Sequence, residues 1–197
     1  MLILFVMAED IHFDILRNRY VGSTHQILID PHKDKRLFDF LVSGRKDILK
    51  SGIEKPAQAV ATYVHETLLN KNMDVEEIYQ RNEETHQRRY QEGEIPFLGE
   101  LFDAPICKDQ NIVAHLLLAQ CGYSSELVRG YVYVMQPHAW VEVPFTEEVV
   151  DAVLGLAINK DDYYSRFVNA AGTRLVLVRP HEMSAPSFKA QGLENKM

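Results

Sequence analysis

The sequence predicts an α+β fold in which helices pack on an antiparallel sheet. Two observations carry that expectation. Segments with apolar residues at helical spacing, together with one polar helix, dominate the chain from about 33 to 120, and the stretch from about 126 to 153 then reads as short strands joined by tight turns. Helices first and a meander afterwards is the order of an α+β domain rather than of a parallel α/β one. With 46% hydrophobic and 25% charged residues, the 197-residue chain has the composition of a globular domain with a sizeable core.

The elements follow in order. Residues 2–7 form a continuous apolar run and read as a buried strand, and 25–29 read as a second one, stopped by Asp30 and Pro31. Over 33–50, Leu37, Phe38, Phe40, Leu41, Ile48 and Leu49 recur at helical spacing; Gly44 weakens the middle, and Ser51 with Gly52 ends the helix. Pro56 suits the first turn of the next helix, whose stripe is Ala57, Val60, Ala61, Val64, Leu68 and Leu69. Asp74 reads as the N-cap of a polar helix to about Gln91, and the Arg-, Glu-, Gln- and His-rich stretch 80–94 reads as a solvated face or a mobile arm. Two glycines and two prolines make 93–105 a loop. A helix from Cys107 to about Gln120 ends at Gly122. Strands near 126–135, 138–145 and 148–153 follow, with Phe145, Thr146, Glu147 and Glu148 as the tight connection between the last two. A short helix near 161–170 and a strand at 173–178, stopped by Pro180, complete a single domain over 1–183, and 184–197 reads as a polar, disordered tail.

Charge and cysteine content narrow the classes of function. A net charge of -7 argues against a general nucleic-acid binder and against a polybasic membrane-surface protein. The longest apolar run, residues 1–8, is far short of the roughly 20 residues a spanning helix needs. It also lacks the basic start and small-residue cleavage site of a signal peptide, so a cytoplasmic protein is expected. On one helix, Cys107 and Cys121 would lie about 21 Å apart, too far for a disulfide, which fits a reducing compartment.

The chemistry-bearing residues lie in the second half. A cysteine attacks a carbonyl as the thiolate, and a helix N-terminus supplies the partial positive charge that favours it; Cys107, after Pro105 and Ile106, sits at such a start. A histidine must then move the proton, and a third group must hold its tautomer. His138 begins an apolar strand and Asp151 lies on the next. If 140–149 form a hairpin, the two come side by side across it, and their odd separation fits directly paired positions. Asp161 and Asp162, at the start of the short helix, are alternatives for the acid. The Cys107 backbone N–H is the natural first oxyanion donor. Asp109 in the first helical turn suits the helix dipole. Trp140 reads as packing behind the histidine, with substrate stacking as the other role open to it; Tyr163 and Tyr164 are candidates for packing or for a cleft wall. Cys121, before the terminating glycine, reads as core.

From Cys107 to Glu142 the chain resembles the core motif of the transglutaminase-like superfamily of papain-related proteases, amidases, peptide N-glycanases and transglutaminases. Cys107-Lys108-Asp109 matches the family's Cys-Arg-Asp with Lys for Arg. Gly122, Val128, Gly130 and Tyr131 fall in register, and His138-Ala139-Trp140-Val141-Glu142-Val143 matches in full. The chain departs after Asp151, where Ala152-Val153 stands in place of Pro-Thr. The resemblance implies a papain-like, transglutaminase-like domain with its catalytic core at about 56–155. It implies Cys107 as nucleophile, His138 as general base and acid, and Asp151 as the orienting carboxylate, acting on a protein or peptide amide through a thioester. The chain is much smaller than calcium-dependent transglutaminases and shows no acidic calcium loop, so hydrolysis (protease, amidase or deamidase) is expected ahead of transfer to an amine. The competing reading is a domain of this superfamily that binds a partner without catalysis; retention of all three positions favours an enzyme. No cofactor or metal is expected: His12, His25 and His32 lack the spacing of a helical zinc site, and Gly44 and Gly52 make no phosphate loop.

Overall fold

The structure, a computed structural model, describes residues 19–21, 26–50, 55–69, 72–132, 136–168 and 176–178. The strand expected at 2–7, the histidines at 12 and 25, and the tail at 184–197 lie outside the described residues.

The chain forms an α+β fold around a five-stranded antiparallel sheet. Strands β3 (Glu126–Val132), β4 (Gln136–Val143), β5 (Glu148–Asp151) and β6 (Leu156–Asn159) run as a meander, and β7 (Val176–Val178) adds to the free edge of β3, giving the order β6-β5-β4-β3-β7. The strand read at 148–153 ends at Asp151; residues 152–155 turn the chain back, with Gly155 at φ 64°, into β6, a strand the sequence reading did not anticipate. A small separate ladder pairs β1 (Arg19–Val21) with β2 (Gln26–Leu28).

The helices match their sequence signals closely. Helix α1 (Lys35–Lys50) starts after Asp34, whose side chain accepts the Leu37 N–H at 3.0 Å. Gly44 lies mid-helix because a Cβ there would stand 2.7 Å from the Tyr63 ring of α2 (Pro56–Leu68); the residue that weakens the helix lets its neighbour come close. Helix α3 (Val75–Gln91) is capped by Asp74, which accepts the Glu77 N–H at 2.8 Å. The loop at 93–105 contains a 3₁₀ turn, Leu98–Leu101, with both leucines buried. Helix α4 (Cys107–Gln120) closes on Gly122 at φ 85°, with Gly122 N–H to Ala119 O at 3.0 Å and Tyr123 N–H to Leu118 O at 2.9 Å. Cys107 and Cys121, at its two ends, are free thiols. Helix α5 (Lys160–Phe167) is capped by Asn159, which accepts the Asp161 N–H. Among the described residues no helix is long and apolar enough to cross a membrane.

Alternation along the strands sorts the core into two layers. Leu127, Val141, Val143 and Val150 face α1, α2 and α4, and make one continuous core with Leu37, Leu41, Val60, Val64, Ile112 and Leu117. Val128, Trp140 and Val149 face the other way and pack with Tyr163 of α5. The helices are therefore not confined to one face of the sheet: the short last helix covers part of the opposite face, because its aromatic residues have Trp140 to pack against. His138, Trp140 and Glu142 all belong to this second face.

Candidate active site

Cys107 is the first residue of α4. Ile106, in the N-cap position, has no side chain that can cap, so Asp109 does the work from the third position: its Oδ2 accepts the Ile106 N–H at 3.1 Å. Asn82 of α3 donates Nδ2–H to the same oxygen at 2.8 Å and to Ala104 O at 2.9 Å. The polar helix is thus more than a solvated face: Asn82 is 4% exposed and holds the start of α4. The first N–H groups of a helix lack intrahelical partners and carry the positive end of its dipole, and Cys107 sits among them. Its side chain is half-buried, within reach of solvent. Tyr79, one turn before Asn82 on the same face of α3, is half-exposed beside it. Its hydroxyl pKa is raised, first by burial and then by the charges of Cys107 and Asp109.

His138 lies near the start of β4 and Asp151 ends β5. The two are not directly opposed. Pro144 has no N–H to give the ladder, so pairing ends at Val143↔Glu148 and residues 144–147 form the loop, with Glu147 at φ 54°. Continuing that register sets Asp151 opposite Trp140, with His138 two residues further along the same face. The pair is diagonal, a distance long side chains span. His138 Nε2–H donates to Asp151 Oδ2 at 2.8 Å; a carboxylate only accepts, so Nε2 carries the proton and Nδ1 is left for other work. Cys107 is the other group close to the imidazole, near enough for its charge to favour the protonated ring. Burial opposes charge on His138, but the hydrogen bonds to Asp151 and Cys107 and their negative charges outweigh it, and its pKa is pushed up to about 10.

Asp151 has no solvent exposure, and each oxygen is satisfied. Oδ1 accepts the backbone N–H groups of Val153 and Leu154 at 3.0 and 3.3 Å. Oδ2 accepts from His138 and from the Tyr163 hydroxyl, the latter at 2.6 Å. Glu142 is held in parallel, by the Tyr164 hydroxyl at 2.6 Å, by Trp140 Nε1–H at 3.4 Å and by Lys160. Trp140 is fully buried with its ring stacked 6.4 Å from that of His138, which places it behind the imidazole and out of reach of a substrate. Tyr163 is fully buried too; it backs the acid and forms no wall of a cleft. Asp161 and Asp162 are exposed in the first turn of α5, and the His138 partner is Asp151.

Sequence reasoning passed over Asn111. One turn after Cys107, it donates Nδ2–H to Cys107 O at 3.0 Å and to Ala139 O at 2.8 Å, and its Oδ1 accepts the Ala152 N–H at 3.0 Å. It thereby ties the backbone of Cys107 to the residues following His138 and Asp151. The one signal was a polar side chain one turn after Cys107 on the same helix; its 0% exposure emerges only in the structure. No protein-family model, curated protein or solved structure matches the chain.

Proposed function

We propose that this chain is a thiol-dependent acyl-transfer enzyme of the transglutaminase-like type, with a papain-like core. It would hydrolyse an amide, in a peptide bond or a glutamine side chain of a protein or peptide substrate, through a thioester on Cys107. One observation carries the reading: His138 is hydrogen-bonded to a fully buried, four-fold hydrogen-bonded Asp151 and has the helix-start Cys107 close enough to favour its charged form.

Each side chain then has a step. The Cys107 proton passes to His138, and the imidazolium is balanced by Asp151 and by the thiolate. Sγ attacks the substrate carbonyl, and the oxyanion that forms meets the Cys107 N–H at the positive end of α4. His138 gives its proton to the departing amine or ammonia, the C–N bond breaks, and the thioester remains. Water then attacks while His138 takes its proton; the C–S bond breaks, the acid leaves, and Cys107 recovers a proton. Asp151 keeps Nε2 protonated, so Nδ1 is the nitrogen that works at sulfur.

The first test needs no substrate. At pH 6, iodoacetamide should label Cys107 at least about tenfold faster than Cys121, whose thiol pKa is pushed up by burial, with Arg45 opposing. Mass spectrometry separates the two sites. His138→Ala should slow labelling of Cys107 and leave Cys121 alone. Equal, slow labelling of both thiols would remove the basis of the proposal; fast labelling directs screening to peptide amides and glutamine side chains, with ammonia release as the readout.

A further inference from the structure

The backing of Asp151 by a helix from the far face of the sheet goes beyond holding it in place. Two donors share one oxygen: His138 Nε2–H at 2.8 Å and Tyr163 Oη–H at 2.6 Å both point at Oδ2. Hydrogen bonds to one acceptor compete, because each withdraws charge the other would use. Tyr163 itself has little freedom. It is fully buried, with ring neighbours Trp140 at 5.7 Å, Tyr164 at 6.4 Å and Phe167 at 5.1 Å, and the Asn159 cap fixes the first turn of its helix.

We propose that Tyr163 is a positioning residue of the site, the fourth member of a Cys107–His138–Asp151–Tyr163 chain, whose hydroxyl fixes the carboxylate on the imidazole and limits how tightly His138 holds its proton. The catalytic consequence rests on the acyl-transfer reading; the measurement does not. A general acid must release its proton to the leaving amine, and a carboxylate whose whole charge bore on His138 would make the imidazolium a reluctant donor. The other charged groups around the ring do not duplicate this effect. Cys107 faces it from α4, and Glu142, further along β4, is already matched by Lys160 and the Tyr164 hydroxyl. On the β3 side His138 is paired with Gly130, which brings no side chain.

The test is the His138 titration, followed by NMR on protein carrying ¹⁵N-labelled histidine, with His138→Gln to assign the signal. Tyr163→Phe keeps the ring contacts and removes the donor, so the His138 titration should move up by about one pH unit. A side chain that only filled space would leave it where it was. Should the phenylalanine variant fail to fold, wild-type protein grown with 3-fluorotyrosine gives the complementary measurement: the more acidic phenol donates more strongly and should move the titration down. An unchanged titration, or a shift of the opposite sign, overturns the proposal. Slow iodoacetamide labelling of wild-type Cys107 alongside the expected shifts would instead strike the acyl-transfer reading and leave the coupling of Tyr163 to His138 standing.

Discussion

Asp151 shows how a carboxylate survives without solvent. Removing a charge from water costs several kcal/mol unless partners replace the lost hydration, and here two backbone N–H groups, an imidazole and a phenol do so. That saturation separates two predictions. Asp151→Asn leaves a polar group of the same size but can present its NH₂ to Nε2, forcing the wrong tautomer on His138. Turnover of any substrate found should fall by about 10³–10⁴-fold with KM little changed; an active variant would assign the orienting role elsewhere. Cys107→Ala, by contrast, removes a half-buried thiol from a helix start capped by Asp109, not by Cys107. Its melting temperature should stay within a few degrees of wild type, while thioester formation, followed by mass spectrometry with p-nitrophenyl acetate, disappears. Residual acylation at the active-site peptide would end the Cys107 mechanism.

Between elements, the contacts that matter are polar clips, and these were the least legible part of the sequence. Local signals place α1 to α4 within a residue or two: apolar stripes for α1, α2 and α4, and the punctuation of Pro56, Asp74 and Gly122. The spacing of Cys107, His138 and Asp151 also anticipates which residues meet. Sequence parity does not set hairpin register, which Pro144 fixes by ending the ladder at Val143, so an expected face-to-face pair is a diagonal one. Nor does local pattern reveal that Asn82, in a charged helix, caps the site from behind, or that Tyr163 belongs to Asp151. Each depends on which helix crosses which strand. Asn111 is the strongest such clip, joining α4 to β4 and to the end of β5. Asn111→Ala leaves the Ala139 carbonyl and the Ala152 N–H without that partner in a buried setting, which should cost about 2–4 kcal/mol in urea unfolding. Asn111→Asp can still accept from Ala152 but cannot donate to the two carbonyls, so it should remain destabilised. Full stability in the aspartate variant would show that the donor half of the clip contributes nothing.

Across the whole molecule, two histidines set opposite limits on stability against pH. His138 has its folded-state pKa raised, so the stability it contributes is complete below about pH 6.5 and is lost as pH climbs towards 10. His115 works the other way. It sits in α4 with 3% exposure, its Nδ1 is 2.8 Å from the Ser125 hydroxyl, and burial lowers its pKa to about 4. Unfolding lets this imidazole take up a proton that the folded core refuses. Its contribution is therefore complete above about pH 6.5 and lost as pH falls towards 4. The full window corresponds to about 3 kcal/mol. His115→Gln keeps a hydrogen-bonding side chain for Ser125 but cannot titrate. The variant should be less stable than wild type at pH 7, and the gap should narrow or reverse by pH 4, as read from urea midpoints at matched ionic strength. Carboxylates elsewhere contribute equally to both proteins and cancel in the difference. Parallel stability curves from pH 7 to 4 would mean that His115 is protonated inside the fold, and would remove the acid limit assigned to the α4 core.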